Sequence, residues 1–568
     1  MKRLHTLIIA IIVFVILQGC GGSGGEDSTA SALQTATQQE PVVDATIVDT
    51  PNVPDPILVD VQKPLVEADP IDNRIIQPEP VALEAPVKVV STSVATANPA
   101  LSQSMWSDNV LINKTPNEYF VAVDGKSTNK GTLNSPWDLL SVANGDHVIP
   151  GNSIVWLKPG QYKHPDTVQL KWRYFNFKLS GEENAPIHIR PLPQEVGSNT
   201  RVTIDGGIRV NGSWLWIWEL EQTALEDWRP WDYYFNSTGY EILVYETDRL
   251  FQEKLYDIAG NIAHGVGDKN GKLSNPRDAM QVLEGTNSKF VNMTLHGLYS
   301  GIGFWANPKN SEFYGNLVYD NGWVDLERAH GPGLYIQNGS GTERTASGNI
   351  VAANLSNPMQ MRSTDVNRLS ALTMKDNIFF APRKIAKGRN YLHVGEIESK
   401  DVLFKDNITH AINVIFPYGG TPLGWVSPAD QQCDNNFLYR TYILSGQTCV
   451  QSTTNEEVQS PLDQATTKVF IRPNKYDPRR ANLAILNGER KDALSISLGD
   501  FAKEGDIIVI KNAVDPYGDP IAYGKYNGSY LNITWPNSPW PLESEKYGQD
   551  ETTVNKEFWA FVIVKINQ

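Results

Sequence analysis

Four side chains that can move protons or neutralise charge occur in successive segments of the chain: His330, Tyr335, Arg362 and His393. Together they could carry out β-elimination on a uronate-containing glycan. Arg362 would neutralise the uronate carboxylate, His330 or His393 would take the proton from C5, and Tyr335 would protonate the leaving oxygen. These residue types would serve a polysaccharide lyase whose partner is an acidic polysaccharide, and this is the first of the competing hypotheses for this stretch.

Carboxylates in the same stretch leave other functions open. Asp320, Asp325 and Glu327 could serve as the paired acids of a glycoside hydrolase, which needs two carboxyl groups across the scissile bond. The same acids could hold calcium, although no loop has a calcium-binding spacing, and no other cofactor is predicted. A groove of aromatic and amide groups without a base–acid pair would instead indicate a non-catalytic protein that binds or organises exopolysaccharide.

An alignment of the segments by their glycines and apolar residues predicts how these side chains are positioned. It matches residues 303–307 with 333–337, and these with 358–362 and 391–395. Strand side chains alternate between two faces, so one apolar residue per segment points inward. The inward residues are Phe304, Leu334, Met359 and Leu392. The outward residues form a first ladder of Trp305, Tyr335, Gln360 and His393 and a second ladder of Asn307, Gln337 and Arg362.

Aromatic and amide groups in these ladders are the predicted substrate-binding residues. Aromatic faces stack on sugar rings, and amides bond to hydroxyl groups. The predicted set is Trp305, Asn307, Gln337 and Gln360 from the ladders, together with Trp323.

Short strands ended by turns must carry these side chains. Residues 119–123 precede Asp124-Gly125, and residues 153–157 precede Pro159-Gly160, with no convincing amphipathic helix between them. This pattern is typical of a sandwich, a barrel or a solenoid. A repeated asparagine favours the solenoid, because stacked asparagines can bond to each other at the corner of a coil. The instances are Asn292, Asn316, Asn349, Asn377, Asn407 and Asn436, separated by 24, 33, 28, 30 and 29 residues.

Two stretches also carry recognisable short motifs. Residues 119–207 contain Tyr119-Phe120-Val121-Ala122, Ser135-Pro136-Trp137, Pro159-Gly160-Gln161-Tyr162 and Thr203-Ile204-Asp205-Gly206. Residues 297–338 contain Gly303-Phe304-Trp305 and His330-Gly331-Pro332-Gly333. The first stretch resembles the opening of pectate-lyase-like proteins with a right-handed parallel β-helix, and the second resembles a segment typical of bacterial β-helix proteins. The resemblance implies an all-β fold with such a helix over residues 106–460 and a polysaccharide ligand. It does not set the reaction, because this superfamily includes lyases, hydrolases, epimerases and non-enzymes.

The repeat stops before the C-terminal segment. Alternating strands follow at residues 469–472, 494–498, 507–510 and 561–564. They predict a small C-terminal β-sandwich over residues 467–568, which could bind glycan or cap the solenoid.

The N-terminal segment has the layout of a lipoprotein signal peptide over residues 1–20. Lys2 and Arg3 precede an apolar run, and Leu17-Gln18-Gly19-Cys20 resembles a lipobox, in which Cys20 would be diacylated. Residues 21–105 are rich in Pro, Ala and acids, which predicts a disordered spacer. The expected location is the cell envelope, anchored in the outer membrane of a Gram-negative bacterium.

Charge and cysteine content complete the predictions. The net charge of −15 argues against a nucleic-acid partner, which would need a basic patch. Cys433 and Cys449 are the two cysteines besides Cys20, and after export they are predicted to form a disulfide.

Overall fold

The computed structural model consists of stacked coils of short parallel strands, followed by antiparallel strands at the C-terminus. All described residues belong to one unit, Ser93–Gln568. The described residues are 116–165, 174–193, 201–223, 278–298, 300–305, 308–324, 329–337, 343–352, 354, 357–362, 370–380, 391–394, 400–411, 413–415, 431–441, 443–445, 452–458, 467–536 and 556–566. The predicted signal peptide with Cys20, the predicted spacer, and Cys449 lie outside them. Within this part of the chain, no helix has both the length and the apolar character needed to cross a membrane.

The strands of the coils form three parallel sheets, and each complete coil passes through sheet 1, sheet 2 and sheet 3 in turn. Sheet 1 contains β1 (Asn117–Val121), β2 (Ser153–Leu157), β5 (Ile187–Pro191), β8 (Leu215–Trp218), β11 (Lys289–Val291), β14 (Ser311–Tyr314), β19 (Arg344–Ser347), β22 (Ser370–Lys375), β25 (Lys400–Lys405) and β28 (Gln431–Asp434). Sheet 2 contains β3 (Gly160–Lys163), β6 (Val202–Asp205), β9 (Glu221–Thr223), β12 (Thr294–His296), β15 (Leu317–Tyr319), β20 (Ile350–Ala352), β23 (Ile378–Phe380), β26 (Ile408–His410), β29 (Phe437–Tyr439) and β31 (Glu456–Val458). Sheet 3 contains β4 (Tyr174–Phe177), β7 (Gly207–Val210), β10 (Asp278–Val282), β13 (Ser300–Phe304), β18 (Leu334–Gln337), β21 (Met359–Arg362), β24 (Tyr391–Val394), β27 (Asn413–Ile415) and β30 (Ile443–Ser445).

The remaining elements are a helix, a hairpin and the C-terminal strands. Helix α1 (Leu139–Asn144) begins after Asp138, whose carboxylate accepts the backbone N–H of Ser141 at 2.8 Å. A hairpin pairs β16 (Trp323–Val324) with β17 (Ala329–His330). The five-stranded C-terminal sheet has the order β32 (Thr467–Pro473), β33 (Arg480–Asn487), β38 (Phe558–Ile566), β35 (Ile507–Asn512) and β36 (Ala522–Lys525). A second sheet pairs β34 (Ala493–Ile496) with β37 (Leu531–Thr534), and a 3-10 turn spans Gly499–Phe501.

Inward side chains of all three sheets form one apolar core along the coils. Fully buried examples are Phe290 from sheet 1, Val318 from sheet 2, and Ile302 and Phe304 from sheet 3. Burying each such side chain stabilises the fold by about 1.5–3 kcal/mol. The predicted all-β fold, a right-handed parallel β-helix followed by a C-terminal β-sandwich, is confirmed.

Asparagines form a hydrogen-bonded ladder at the corner between sheets 1 and 2. The Nδ2 atom of each donates to the Oδ1 atom of the next over 2.9–3.2 Å. That same Oδ1 atom also accepts a backbone N–H from the preceding coil over 2.9–3.0 Å. The ladder contains Asn316, Asn349, Asn377, Asn407, Asn436 and Asn455. Each amide from Asn316 to Asn436 is buried and ties its own coil to the next one.

Asn292 does not belong to this ladder, so its predicted place was wrong by one residue. The Oδ1 atom of Asn316 accepts the backbone N–H of Met293, which occupies the ladder position in that coil. Asn292 instead has a φ of 55°, as Gly315 has 68° one coil later. Asparagine and glycine both tolerate this left-handed conformation, so an asparagine near a corner fits either position.

The C-terminal domain covers the side of the solenoid along sheet 2. From β15 onward, outward residues of sheet 2 such as Ile350, Ile378 and Phe380 share a core with the C-terminal strands. The ring of Phe380 lies 5.6 Å from that of Trp559, and His410 stacks on Phe558 at 4.9 Å. A sandwich that caps one end of the solenoid would not make these lateral contacts.

The loop between β32 and β33 adds a second contact, with sheet 1. Lys475 Nζ lies 2.9 Å from Glu312 Oε1, and the Tyr476 hydroxyl donates to the same carboxylate. Near the C-terminal end of sheet 1, Cys433 is buried, with its sulfur 3.6 Å from Asn436 Nδ2. The disulfide with Cys449 stays a prediction.

The ladder leads to a prediction on stability. Replacing Asn377 by alanine removes the acceptor of two hydrogen bonds from Asn349 and the donor to the Ala346 carbonyl. We expect Asn377→Ala to lower the free energy of unfolding by about 3 kcal/mol, measured in urea. Asn532→Ala, an exposed asparagine of β37, is the control and should cost less than about 0.5 kcal/mol. Equal losses in both variants would contradict a special role for the ladder.

Buried histidines lead to a second prediction. Burial, with a smaller contribution from Arg440, lowers the pKa of His410 to about 3. The unfolded chain takes up the proton near pH 6.5 and the folded protein does not, so stability present above that pH is lost as the pH falls. When the pH falls from about 7 to about 5, the free energy of unfolding, measured in urea, should decrease by about 2 kcal/mol less in His410→Phe than in the wild type. Phe558→Leu changes the stacked ring without removing a titrating group, so it should leave the pH dependence as in the wild type.

Candidate functional site

The strand register of sheet 3 aligns a row of polar and aromatic residues, interrupted by one glycine. The strand register aligns one residue from each of β4, β7, β10, β13, β18, β21 and β24. In order these residues are Asn176, Arg209, Gln281, Gly303, Tyr335, Gln360 and His393, here called the sheet 3 row. At the strand spacing of about 4.8 Å, the row is about 29 Å long.

An arginine and amides occupy the N-terminal part of the row. Arg209 donates from Nε and Nη2 to Gln281 Oε1 at 3.3 and 3.2 Å. Its guanidinium carbon lies 4.7 Å from the centre of the Tyr174 ring. Asn211 Nδ2 donates to Asn176 Oδ1 at 2.7 Å. This part of the chain therefore presents a positioned cation flanked by amides, which suits hydroxyl and carboxylate groups.

Aromatic rings occupy the middle of the row. The Tyr335 and Trp305 ring centroids are 5.8 Å apart, and Gln337 Nε2 donates to the Tyr335 hydroxyl at 2.7 Å. The Tyr335 hydroxyl oxygen therefore acts as an acceptor toward Gln337. Gly303 occupies the row position between Gln281 and Tyr335, so no side chain projects from the row there.

A buried arginine supports this aromatic pair from within. Arg344, 2% exposed, donates to the Trp305 carbonyl at 2.6 Å, to the Pro308 carbonyl at 2.8 Å, and to the Gln337 carbonyl. Burial lowers the pKa of Arg344 to about 9. Arg344 thus fixes the ends of β13 and β18, which carry the outward rings.

The register agrees with most of the predicted ladders. Tyr335 aligns with Gln360, Gln360 with His393, and Gln337 with Arg362. The side chains of Arg362 and His393 lie outside the described part of the structure. The catalytic roles predicted for Tyr335, Arg362 and His393 stay predictions.

Trp305 was placed two residues out of register. Gly303 aligns with Tyr335 and Phe304 with Ile336, so Trp305 follows in line with Gln337. The same register places Gly301 opposite Gly333. A Cβ atom on Gly301 would lie 2.3 Å from the Gly333 carbonyl oxygen, so the two strands approach closely there. Side chains alternate with a period of two, so the slip left Trp305 facing outward and Phe304 inward, as predicted.

Other predicted residues fall elsewhere or outside the description. Asp320 is 1% exposed and has a φ of 49°, at the corner between sheets 2 and 3, so it does not line the edge of the row as expected. Asn307, Asp325 and Glu327 lie outside the described residues, as do the side chains of Trp323 and His330. Within the described part, no group of three or more His, Cys, Asp or Glu is arranged to hold a metal ion, and the calcium site stays a prediction.

Sequence reasoning missed Arg209, Gln281 and Arg344. Arg209 lies between the inward residues Ile208 and Val210, an alternation that marks an outward side chain. The long segment between β9 and β10 hides its alignment with Gln281, because the two residues are 72 positions apart.

No protein-family model and no curated protein sequence matches the chain. Among solved structures, the chain is similar to a lacto-N-biosidase from Eubacterium ramulus, with 10% identity and a TM-score of 0.35 over 61% of this chain and 68% of that one. It is also similar to a rhamnogalacturonan lyase, with 14% identity and a TM-score of 0.34 over 62% of this chain and 88% of that one. A mannuronic acid specific polysaccharide family 6 lyase from human gut microbiota matches with 11% identity and a TM-score of 0.24, over 60% of this chain and 82% of that one. With identities and TM-scores this low, these likenesses carry no argument about the site or its reaction.

Proposed function

We propose that this protein binds an acidic polysaccharide along the sheet 3 row and cleaves it by β-elimination. The observation that carries the proposal is the row itself, a long outward line of guanidinium, amide and phenol groups at fixed spacing. A flat rigid face with such groups suits an extended polymer that has hydroxyls and carboxylates along its length.

Lyase chemistry is favoured over hydrolysis by the composition of the row. The sheet 3 row and the second outward line of Trp305, Gln337 and Arg362 contain no Asp or Glu. A glycoside hydrolase needs a pair of carboxylates in reach of the bond. In the proposed reaction, Arg209 and Arg362 bind uronate carboxylates, His393 takes the C5 proton, and Tyr335 protonates the leaving oxygen.

The test is an assay of the purified mature protein against a panel of polyuronates and neutral glycans. A lyase produces unsaturated ends that absorb in the ultraviolet. Tyr335→Phe keeps the ring against Trp305 and removes the proton donor, so kcat should fall about a hundredfold or more while binding is retained. Arg209→Gln should weaken binding of the acidic glycan about tenfold, because a charge-assisted hydrogen bond is lost.

Tyr523→Phe is the matched control, since Tyr523 is 62% exposed on the C-terminal sheet and should tolerate loss of its hydroxyl without a change in rate. New reducing ends without ultraviolet absorbance would replace the lyase proposal by a hydrolase. Retention of glycan without cleavage would replace it by a non-catalytic polysaccharide-binding protein.

We also propose that Cys20 anchors the protein to the cell envelope through acyl chains. The support is the basic, apolar and lipobox-like run that ends at Cys20. Two acyl chains hold a protein on a membrane stably, and loss of the acylated cysteine removes both. We expect Cys20→Ala to move the protein from the membrane fraction to the soluble fraction, measured by fractionation and immunoblotting. Equal membrane recovery of wild type and variant would refute the anchor.

A further inference from the structure

A second polar cluster lies on the outward face of sheet 2, away from the sheet 3 row. Thr223 of β9 and His296 of β12 occupy matching positions in neighbouring strands, and Glu221 lies two residues before Thr223. His296 Nε2 is 3.0 Å from Glu221 Oε1, and His296 Nδ1 is 3.5 Å from Thr223 Oγ1. A hydroxyl, an imidazole and a carboxylate thus form one chain of contacts.

The carboxylate of this cluster is held in its ionised form. Its Oε2 atom is 2.6 Å from Arg201 Nε and accepts the Thr203 hydroxyl proton. Burial works to raise the pKa of Glu221, but the hydrogen bond from His296 and the charge of Arg201 bring it below its usual range. An ionised acceptor at Oε1 places the imidazole proton on Nε2, which leaves Nδ1 as the base that faces the Thr223 hydroxyl.

Neighbouring residues fix the ring and leave space for the hydroxyl. The His296 ring stacks on Tyr319, with centroids 4.8 Å apart and planes 5° apart. Residue 297 is glycine with a φ of 67°, and a Cβ atom there would lie 2.8 Å from Thr223 Oγ1. The C-terminal domain contributes Tyr517, whose ring centre is 4.0 Å from the Arg201 guanidinium carbon.

The cluster continues into a polar surface. Asp205 aligns with Thr223 and Lys163 aligns with Asp205, with 3.8 Å between Lys163 Nζ and Asp205 Oδ2. The side chains of His296 and Lys163 are 21% and 48% exposed. Thr223 and Glu221 are only 8% and 1% exposed, so a ligand would reach the cluster from the side of His296 and Lys163.

We propose that Thr223, His296 and Glu221 form a second active site that cleaves carboxylic esters with small acyl groups, such as those carried on saccharide hydroxyls. The roles are those of an acyl-transfer triad, which is recognised by geometry rather than by residue order. Thr223 Oγ bonds to the ester carbonyl carbon while its proton passes to His296 Nδ1. The carbon–oxygen bond to the alcohol then breaks, and His296 returns the proton to the leaving oxygen. Water then bonds to the acyl carbon while its proton passes to His296, the bond between that carbon and the Thr223 oxygen breaks, and His296 returns the proton to Thr223 as the acid leaves.

A second hydroxyl–imidazole pair provides the contrast. His147 Nε2 is 3.0 Å from Ser141 Oγ, but the nearby carboxylate of Asp138 accepts from the Ser141 hydroxyl at 2.8 Å and caps α1. There the carboxylate orients the hydroxyl and not the imidazole. His147→Gln is therefore the matched control for His296→Gln.

The experiment measures hydrolysis of 4-nitrophenyl acetate by the full mature protein, together with the mass of the acid-quenched protein. We expect turnover above the heat-denatured background and an acetyl group on Thr223. Thr223→Val, which keeps the branched shape, should abolish both, and Thr223→Ser should retain them. Glu221→Gln and His296→Gln should lower the rate about a hundredfold or more, and His147→Gln should leave it unchanged.

Normal turnover by Thr223→Val, or no turnover by the wild type, would overturn the proposal. If Thr223→Val does not fold, covalent labelling of the wild type by a fluorophosphonate decides: mass added at Thr223 supports the site, and its absence overturns it. The ester assay does not use the sheet 3 row, so its failure is distinguishable from a failure of the proposed lyase function.

Discussion

Register between neighbouring coils is the constraint on which the rest of the structure depends. Parallel strands could slide past one another, and a shift of one residue would exchange the inward and outward faces. The asparagine ladder resists such a shift, because each amide bonds to the backbone of one coil and to the asparagine of the next. A shifted coil would leave buried donors and acceptors unpaired, at a cost of about 1–3 kcal/mol for each group.

With the register fixed, the outward faces of sheets 2 and 3 differ in chemistry. Sheet 2 is polar at its early strands, where Asp205, Thr223 and His296 align. After Tyr319 the row is apolar or aromatic except for His410, which stacks on Phe558. This change from polar to apolar residues occurs where the C-terminal domain begins to cover sheet 2. Ala352 and Phe380 continue the same outward row and pack against the C-terminal strands. Sheet 3 presents amides, aromatic rings and Arg209 on its described outward face. The composition of each outward row therefore reflects whether protein or solvent covers it.

The fold could be predicted from the sequence because its signals are local and repeated. Corner asparagines recur once per coil from Asn316 onward, and apolar residues alternate within several of the short strands. The errors have the same local origin. Asn292 lies one residue before the ladder position, where the backbone is left-handed. Gly303 lies two residues after Gly301, and matching Gly303 instead of Gly301 with Gly333 shifted the alignment by two residues. β33, the strand between β32 and β38, was missed because its fully buried residues include Asn482 and Arg480 at its start.

Site residues from distant segments could not be predicted in the same way. Glu221 and His296 are 75 positions apart, and they meet because β9 and β12 are successive strands of one sheet. No periodicity in the sequence connects them, whereas Tyr335, Gln360 and His393 come from coils of similar length and could be aligned by eye.

Coil stacking also limits the ligands that these faces can bind. Groups on successive coils lie about 4.8 Å apart along one line, and the apolar core allows little adjustment of that distance. Arg344 strengthens this rigidity, because it joins the ends of β13 and β18 through three backbone carbonyls. A ligand that contacts several positions of the sheet 3 row must therefore be extended and repeat its own polar groups. Polysaccharides meet this requirement, whereas a compact small molecule would contact two or three positions and leave the rest of the row in water.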